Sequence, residues 1–168
     1  TSLVVSDQCL GPPEVTVVAA AISTYAVLDE VNVSQNRIGL EGGKALANAI
    51  PQSSLQCIVI GDKSTRIPLH NSEITSLDVS DQQLGPPEVP VVAAAISTYA
   101  VLAVVTCDST GDPNRRNGGP RSYTLNVQDT RLDLSSKNFG PADAAFLAVW
   151  SQRPEVSAAL ARVSVLSN

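Results

Sequence analysis

Residues 28–50 read L-D-E-V-N-V-S-Q-N-R-I-G-L-E-G-G-K-A-L-A-N-A-I and contain, in order, a strand pattern, a turn and a helix pattern. Val31 and Val33 alternate with polar residues, which is typical of a strand that buries one face. Gly39 ends the turn, and the apolar residues after it recur at helical spacing. The stretch therefore predicts one β–α unit, which cannot bury its apolar face without neighbouring units.

The same order of strand, turn, glycine and helix recurs around three other glycines, namely Gly11, Gly85 and Gly140. Counted from each glycine, the positions +4, +7, +8 and +11 form one helical stripe, which we expect to be buried. The four predicted stripes are Val15, Val18, Ala19 and Ile22; Gly43, Leu46, Ala47 and Ile50; Val89, Val92, Ala93 and Ile96; and Ala144, Leu147, Ala148 and Ser151.

Two of these blocks are nearly identical copies. Residues 1–28 and 75–102 align without a gap, and 25 of the 28 positions carry the same residue. The three differing pairs are Val4 and Asp78, Cys9 and Gln83, and Thr16 and Pro90. Because the same side chains should meet the same kinds of neighbour, we expect the two blocks to form closely similar strand–turn–helix units.

The pattern L-x-x-L-x-L-x-x-N-x-L-G, followed by E-G-G-K-A-L-A-N-A-I, resembles a leucine-rich repeat of the ribonuclease-inhibitor type. The resemblance covers about residues 1–54, 74–105 and 132–151. It implies an α/β solenoid with parallel strands on the concave side and helices on the convex side. The asparagine of this repeat type is present once, as Asn36, whereas Gln8, Gln82 and Lys137 stand in its place elsewhere.

On this basis the sequence predicts a single leucine-rich-repeat-like solenoid over residues 1–168, with one mainly parallel sheet. Two segments lack a helical pattern and are expected to form irregular units without a helix. Full units are expected at about 1–27, 28–54, 74–101 and 132–151, irregular units at 55–73 and 102–131, and a C-terminal cap at 152–168.

Composition excludes several classes of function. The chain has 11 basic and 16 acidic residues, and this net charge of -5 is unsuited to binding nucleic acid by bulk charge. Three cysteines with no C-x-x-C pair argue against a disulfide framework or a zinc site, and one histidine argues against a multi-histidine metal centre. No cofactor is implied.

Residues 89–107 carry no charge and approach the length of a membrane span. Pro90 and the polar run Ser97 to Tyr99 lie within them, and the repeat divides them into a helix and a strand. We therefore expect no membrane span. No secretory signal pattern is present, which favours an intracellular location, cytoplasmic or organellar, over secretion.

Three groups of residues are candidates for binding a protein partner. The strands would present a polar strip on the concave face. The loop between residues 106 and 122 is basic and rich in Gly and Pro, and it is either a plain surface loop or a clamp for an acidic partner. The candidates are Asn32, Ser34, Asp78, Ser80, Asp133 and Ser135 on the strip, and Arg115, Arg116 and Arg121 in the loop.

The third group is the outer side of the helix layer, which has no charge over residues 15–28 and 89–107. A solvated helix normally shows a charged outer face. Phe146 and Trp150 also fall outside the predicted stripe of the last helix. These surfaces either bind another chain or pack within this one, with Phe146 and Trp150 lying under residues 154–163.

The sequence thus favours a protein–protein interaction or structural module, as a fragment or subunit of a larger assembly, over an enzyme. The protein partner is unidentified, and either the concave or the convex face could bind it. One alternative is an accessory subunit of a membrane-associated complex. Another is an enzyme that uses the region around His70, since histidine titrates near neutrality.

Overall fold

A computed structural model of the chain describes residues 1–112 and 120–165 and shows an α/β protein whose strands form three small sheets. The contacts divide it into two compact units. Unit 1 comprises residues 1–73 and 82–100, and unit 2 comprises residues 74–81 together with the described part of 101–168.

Unit 1 contains a four-stranded sheet and three helices. Its strands are β1 (Ser2–Val4), β2 (Glu30–Asn32), β3 (Cys57–Ile60) and β4 (Thr65–Pro68), and its helices are α1 (Pro12–Thr24), α2 (Gly39–Ala49) and α3 (Val89–Ser97). The strands β1, β2 and β3 are parallel, and β4 returns antiparallel to β3.

The helices of unit 1 pack closely because α2 carries two glycines. A Cβ atom on Gly42 would lie 3.1 Å from Val15, and a Cβ atom on Gly43 would lie 1.9 Å from the carbonyl oxygen of Pro87. Helix α2 therefore lies between two neighbours. It contacts α1 at Gly42 and the turn just before α3 at Gly43.

Unit 2 contains two small sheets. Strand β5 (Ser76–Asp78) pairs parallel with β6 (Val104–Asp108), and β6 pairs antiparallel with β7 (Ser122–Asn126). Strands β8 (Arg131–Asp133) and β9 (Arg162–Ser164) form a parallel pair, with α4 (Pro141–Ser151) and α5 (Pro154–Ala159) between them in the chain.

The predicted continuous solenoid is wrong, because β1 and β5, the strands of the two duplicated blocks, lie in different sheets. The reason lies in the two segments without a helix, which form antiparallel hairpins, β3–β4 and β6–β7. A parallel strand requires a crossover of a dozen or more residues, and the turn from Ile60 to Thr65 is too short for one. Strand β4 therefore returns antiparallel to β3 and is the last strand of its sheet, and β7 is likewise the last strand of the sheet that contains β5 and β6.

The predicted stripe of the last helix is also wrong. Helix α4 buries Asp143, Phe146 and Trp150, which each precede a residue of the predicted stripe by one position. It leaves Ala144 and Ala148 exposed. The stripes of α1 and α3 are confirmed, since every predicted residue in them is buried. In the described residues no helix is long and apolar enough to cross a membrane.

Candidate binding surface

Helix α1 has an uncharged face that lies open to solvent. We define the open face as Val17, Ala20, Thr24, Tyr25 and Val27, all of which are exposed. The valine at position 17 is 70% exposed, and Tyr25 is 59% exposed. The first three residues recur at i, i+3 and i+7, so they lie on one side of the helix.

The duplicated block places the same residues in a different environment. Val91 is the copy of Val17 and is 0% exposed, and Tyr99 is the copy of Tyr25 and is 2% exposed. The two helices have almost the same sequence, but α1 begins at Pro12 and α3 only at Val89, so the expectation of closely similar units is wrong at the start of the helix. Val91 and Tyr99 are covered by other residues of the chain, whereas Val101, the copy of Val27, is 48% exposed.

The second copy is covered by residues that precede it in the same chain, among them Pro68 and His70; we call these residues the cover. The Tyr99 hydroxyl donates to the carbonyl oxygen of Pro68, at the end of β4. The backbone N–H of His70 donates to Thr98 Oγ1 at 3.0 Å. Burial raises the pKa of Tyr99 to about 12, because the phenolate would lose its water.

His70 belongs to this cover. Its ring atom Nε2 lies 3.2 Å from the carbonyl oxygen of Ile50, and its backbone has a positive φ of 51°. The residue thus links the 3-10 turn Ile50–Gln52 to the end of α3 through both its ring and its backbone. Both hydrogen bonds of His70 join parts of the fold to one another, so they give this residue a structural role.

The residues of the predicted polar strip lie at the ends of strands in three different sheets. Each pair instead closes a local turn at a strand end. Asn32 Oδ1 accepts from the N–H and hydroxyl of Ser34, and Asp78 Oδ1 accepts likewise from Ser80. The same turn recurs where the Ser135 N–H donates to Asp133 Oδ1 at 2.9 Å.

These bonds lower the pKa of two carboxyl groups. The Ser80 hydroxyl and then its backbone N–H hold the pKa of Asp78 below its usual value. Ser135 lowers the pKa of Asp133 in the same way. Each carboxylate thus accepts hydrogen bonds from the serine two residues later and stabilises the turn at the end of its own strand.

The predicted basic loop connects β6 to β7. Arg115 and Arg116 lie outside the described residues. Arg121 is exposed, and its backbone exchanges hydrogen bonds with Ser109 at the base of the hairpin.

Phe146 and Trp150 do not extend the open face. They are 2% and 1% exposed, so they belong to the core of unit 2. Trp150 lies under the guanidinium of Arg153, whose Cζ is 5.5 Å from the ring centroid. Of the two alternatives for these side chains, packing within the chain is the one that the structure shows, because α4 turns its +6 and +10 positions inward.

The sequence analysis singled out the uncharged outer side of residues 15–28 but did not name Val17, Tyr25 and Val27, the large apolar side chains of the open face. Position 17 is +6 from Gly11 and therefore falls outside the predicted stripe. That offset is the signal that singled out Phe146 in the last helix, and applied to α1 it would have identified Val17 as well.

A second missed feature is a buried polar cluster in unit 2. Asp143 is 0% exposed, and its Oδ2 accepts from the Gly140 N–H at 2.7 Å and from the Thr110 N–H at 2.8 Å. The Thr110 hydroxyl donates to the same oxygen at 2.9 Å. This carboxylate joins the start of α4 to the end of β6, so its role is structural.

Thiol reactivity should distinguish the three cysteines. Cys9 is exposed, whereas Cys57 and Cys107 are buried. Burial raises the pKa of Cys57, and it raises the pKa of Cys107 to about 12. Since the thiolate is the reactive form, we expect a disulfide reagent to label Cys9 at once and the other two only after unfolding. Cys9→Ser should remove the fast phase in an absorbance assay; a fast phase that persists in this variant would contradict the assignment.

Among the described residues, no group of three His, Cys, Asp or Glu side chains is placed to hold a metal ion. In comparisons with known proteins, the chain matches no family model, no curated protein and no solved structure. The resemblance to leucine-rich repeats thus depends only on the residues quoted above.

Proposed function

We propose that the chain is a protein–protein interaction or structural module of a larger assembly, and that it binds its partner through the open face of α1. The observation that carries this proposal is the contrast between the two copies. Val17 and Tyr25 of the first copy are exposed, whereas the corresponding Val91 and Tyr99 of the second copy are buried. A surface that one copy buries within the chain is suited to burial in the other copy as well.

The composition of the open face supports the same conclusion. Large exposed apolar side chains clustered without charge are uncommon on soluble monomers and usually mark an interaction site. Tyrosine is enriched at the centres of interfaces, where its ring is buried and its hydroxyl bonds to the partner. Val17 and Tyr25 together provide an apolar contact and one polar group.

The test uses the full chain as bait in co-purification from its native source. Val17→Glu introduces a charge at the centre of the open face, and we expect it to release at least about 90% of the specific partner, because an unpaired charge in an interface costs several kcal/mol. Val101→Glu is the matched control, since Val101 is exposed and lies in unit 2.

The control should retain the partner, and both variants should unfold at the wild-type temperature. A partner that binds both variants as it binds the wild type would contradict the proposal.

A further inference from the structure

Strand β1 and helix α1 lie at one end of unit 1. The strands of the sheet follow the order β1, β2, β3 and β4, so among the described residues no strand lies on the outer side of β1. Helix α1 packs on α2, where Val15 lies 3.1 Å from the place of a Cβ atom on Gly42. Val17 lies about 160° around the helix from Val15, since each residue turns an α-helix by about 100°. The open face therefore points away from α2, as the outer side of β1 points away from β2.

The outer side of β1 carries backbone groups that can bind a further strand. The Thr1 carbonyl accepts from the Glu30 N–H at 3.4 Å, and the Val5 N–H donates to the Asn32 carbonyl at 2.9 Å. Thr1 and Val5 thus direct these groups toward β2. Backbone groups alternate in direction along a strand, so those of Ser2 and the residue at position 4 point outward. An edge of this kind is a template for pairing with another chain.

Val4 distinguishes this edge from the equivalent strands of the other three blocks. The corresponding residues are Asn32, Asp78 and Asp133, and each accepts a hydrogen bond from the serine two residues later. The side chain of Val4 has no acceptor, and the residue is 61% exposed. Proteins commonly protect a sheet edge with charged side chains. The edge of β1 presents an apolar side chain, at the same end of unit 1 as the open face.

This end of unit 1 carries no charged side chain over residues 1–6 and 15–28, although the whole chain has a net charge of -5. In a dimer with two-fold symmetry the same patch of both molecules forms the interface, so any charge near the axis faces its own copy. An uncharged patch avoids that repulsion. A two-fold axis normal to the sheet also places β1 antiparallel to its counterpart and α1 beside its counterpart, so both layers are covered at once.

We propose that unit 1 binds another molecule of the same chain through this end, with β1 paired antiparallel to β1 and the open face of α1 packed against the same face of its counterpart. The two sheets then form one continuous sheet, with the helices of both molecules on the same side. Ala20 and Thr24 are small, so the two helices can approach closely. This inference rests on the proposed function and names the partner of the open face.

Sedimentation equilibrium of the full chain over a micromolar range of concentration measures the dimer. We expect the wild type to dimerise and Val4→Asp to weaken the dimer at least about tenfold, because two carboxylates would lie close to the axis. The variant gives β1 the residue that β5 carries at this position. Ser6 corresponds to Ser80, so the turn at the strand end can form as it does after β5. Val101→Asp is the matched control and should dimerise as the wild type does, since Val101 is also exposed but lies in unit 2.

A mixture of two variants tests the two-fold relation itself. Val4→Lys should be monomeric alone, as Val4→Asp should be, because like charges then meet at the axis. An equimolar mixture of the two should restore the dimer, since position 4 of one molecule lies near position 4 of the other. Far-UV circular dichroism of each variant checks that the monomers are folded.

Val17→Glu tests the helix layer of the same interface and should also weaken the dimer at least about tenfold. A wild type that stays monomeric over the whole range would overturn the proposal, and so would a dimer that both Val4→Asp and Val17→Glu leave intact. Two folded variants that are monomeric alone and remain monomeric when mixed would reject the antiparallel pairing of β1.

These outcomes are separate from the test of the proposed function. A monomeric wild type whose native partner is lost with Val17→Glu would keep the open face as a binding surface and reject only the pairing with the same chain. Dimerisation stabilises the folded state by mass action, so Val17→Glu and the wild type should be equally stable below the concentration at which dimers form.

Discussion

Val91→Glu should unfold unit 1, while Val17→Glu should leave it as stable as the wild type. The two valines occupy the same position in the duplicated blocks but differ in exposure, 0% against 70%. A glutamate at position 91 would be buried without a partner, which we expect to cost more than about 4 kcal/mol. At position 17 the carboxylate remains in water, and the free energy of unfolding should change by less than about 0.5 kcal/mol.

Urea denaturation followed by far-UV circular dichroism measures both variants. The comparison is internally controlled, since the substitution is the same and the two helices differ in sequence only at Thr16 and Pro90. Equal losses of stability in the two variants would mean that the open face of α1 is covered in the isolated chain, and the proposed function would lose its main support.

Asp143→Ala should be the most damaging substitution in unit 2. It leaves the N–H groups of Gly140 and Thr110 and the Thr110 hydroxyl without their shared acceptor. Because the site is fully buried, water cannot replace the carboxylate, and we expect a loss of about 3–5 kcal/mol. The free energy of unfolding in urea is the measurement.

Glu14→Ala is the matched control for this variant. Glu14 occupies the same position after its glycine and accepts from the Gly11 N–H at 3.0 Å, but it is exposed. Its removal should cost about 1 kcal/mol, as for other caps at the start of a helix. A loss at Asp143 no larger than that at Glu14 would show that the buried cluster contributes little beyond ordinary capping.

Local patterns in the sequence predicted the elements of this fold well. The stripe after Gly11 correctly identified the buried side of α1, because helical spacing is a property of the segment itself. The strand pattern around Val31 is likewise confirmed by β2. The division into three sheets was not expected, although the short connection from Ile60 to Thr65 already favours a hairpin over a parallel strand.

The rotation of α4 could not be predicted from its own sequence. Its inward face is set by Asp143, whose oxygen is held by Thr110, 33 residues earlier in the chain. A stripe of Ala and Leu at helical spacing fits either orientation, and a contact so distant in sequence decides between them. The exposure of the candidate surface could not be predicted either. Val17 and Val91 have nearly identical neighbours in sequence, but only Val91 is buried by residues distant from it in the chain.

The near identity of the two blocks also has a consequence for folding. The place beside Gly43 and Pro68 is occupied by residues 86–99, and residues 12–25 repeat their sequence except for Thr16 in place of Pro90. Side-chain chemistry hardly distinguishes them, so connectivity must: residues 86–99 follow His70 in the chain, whereas residues 12–25 precede α2 and pack on it at Gly42. Between molecules that advantage disappears, and a neighbour's first segment competes for the site, which is the condition for domain swapping in crowded refolding.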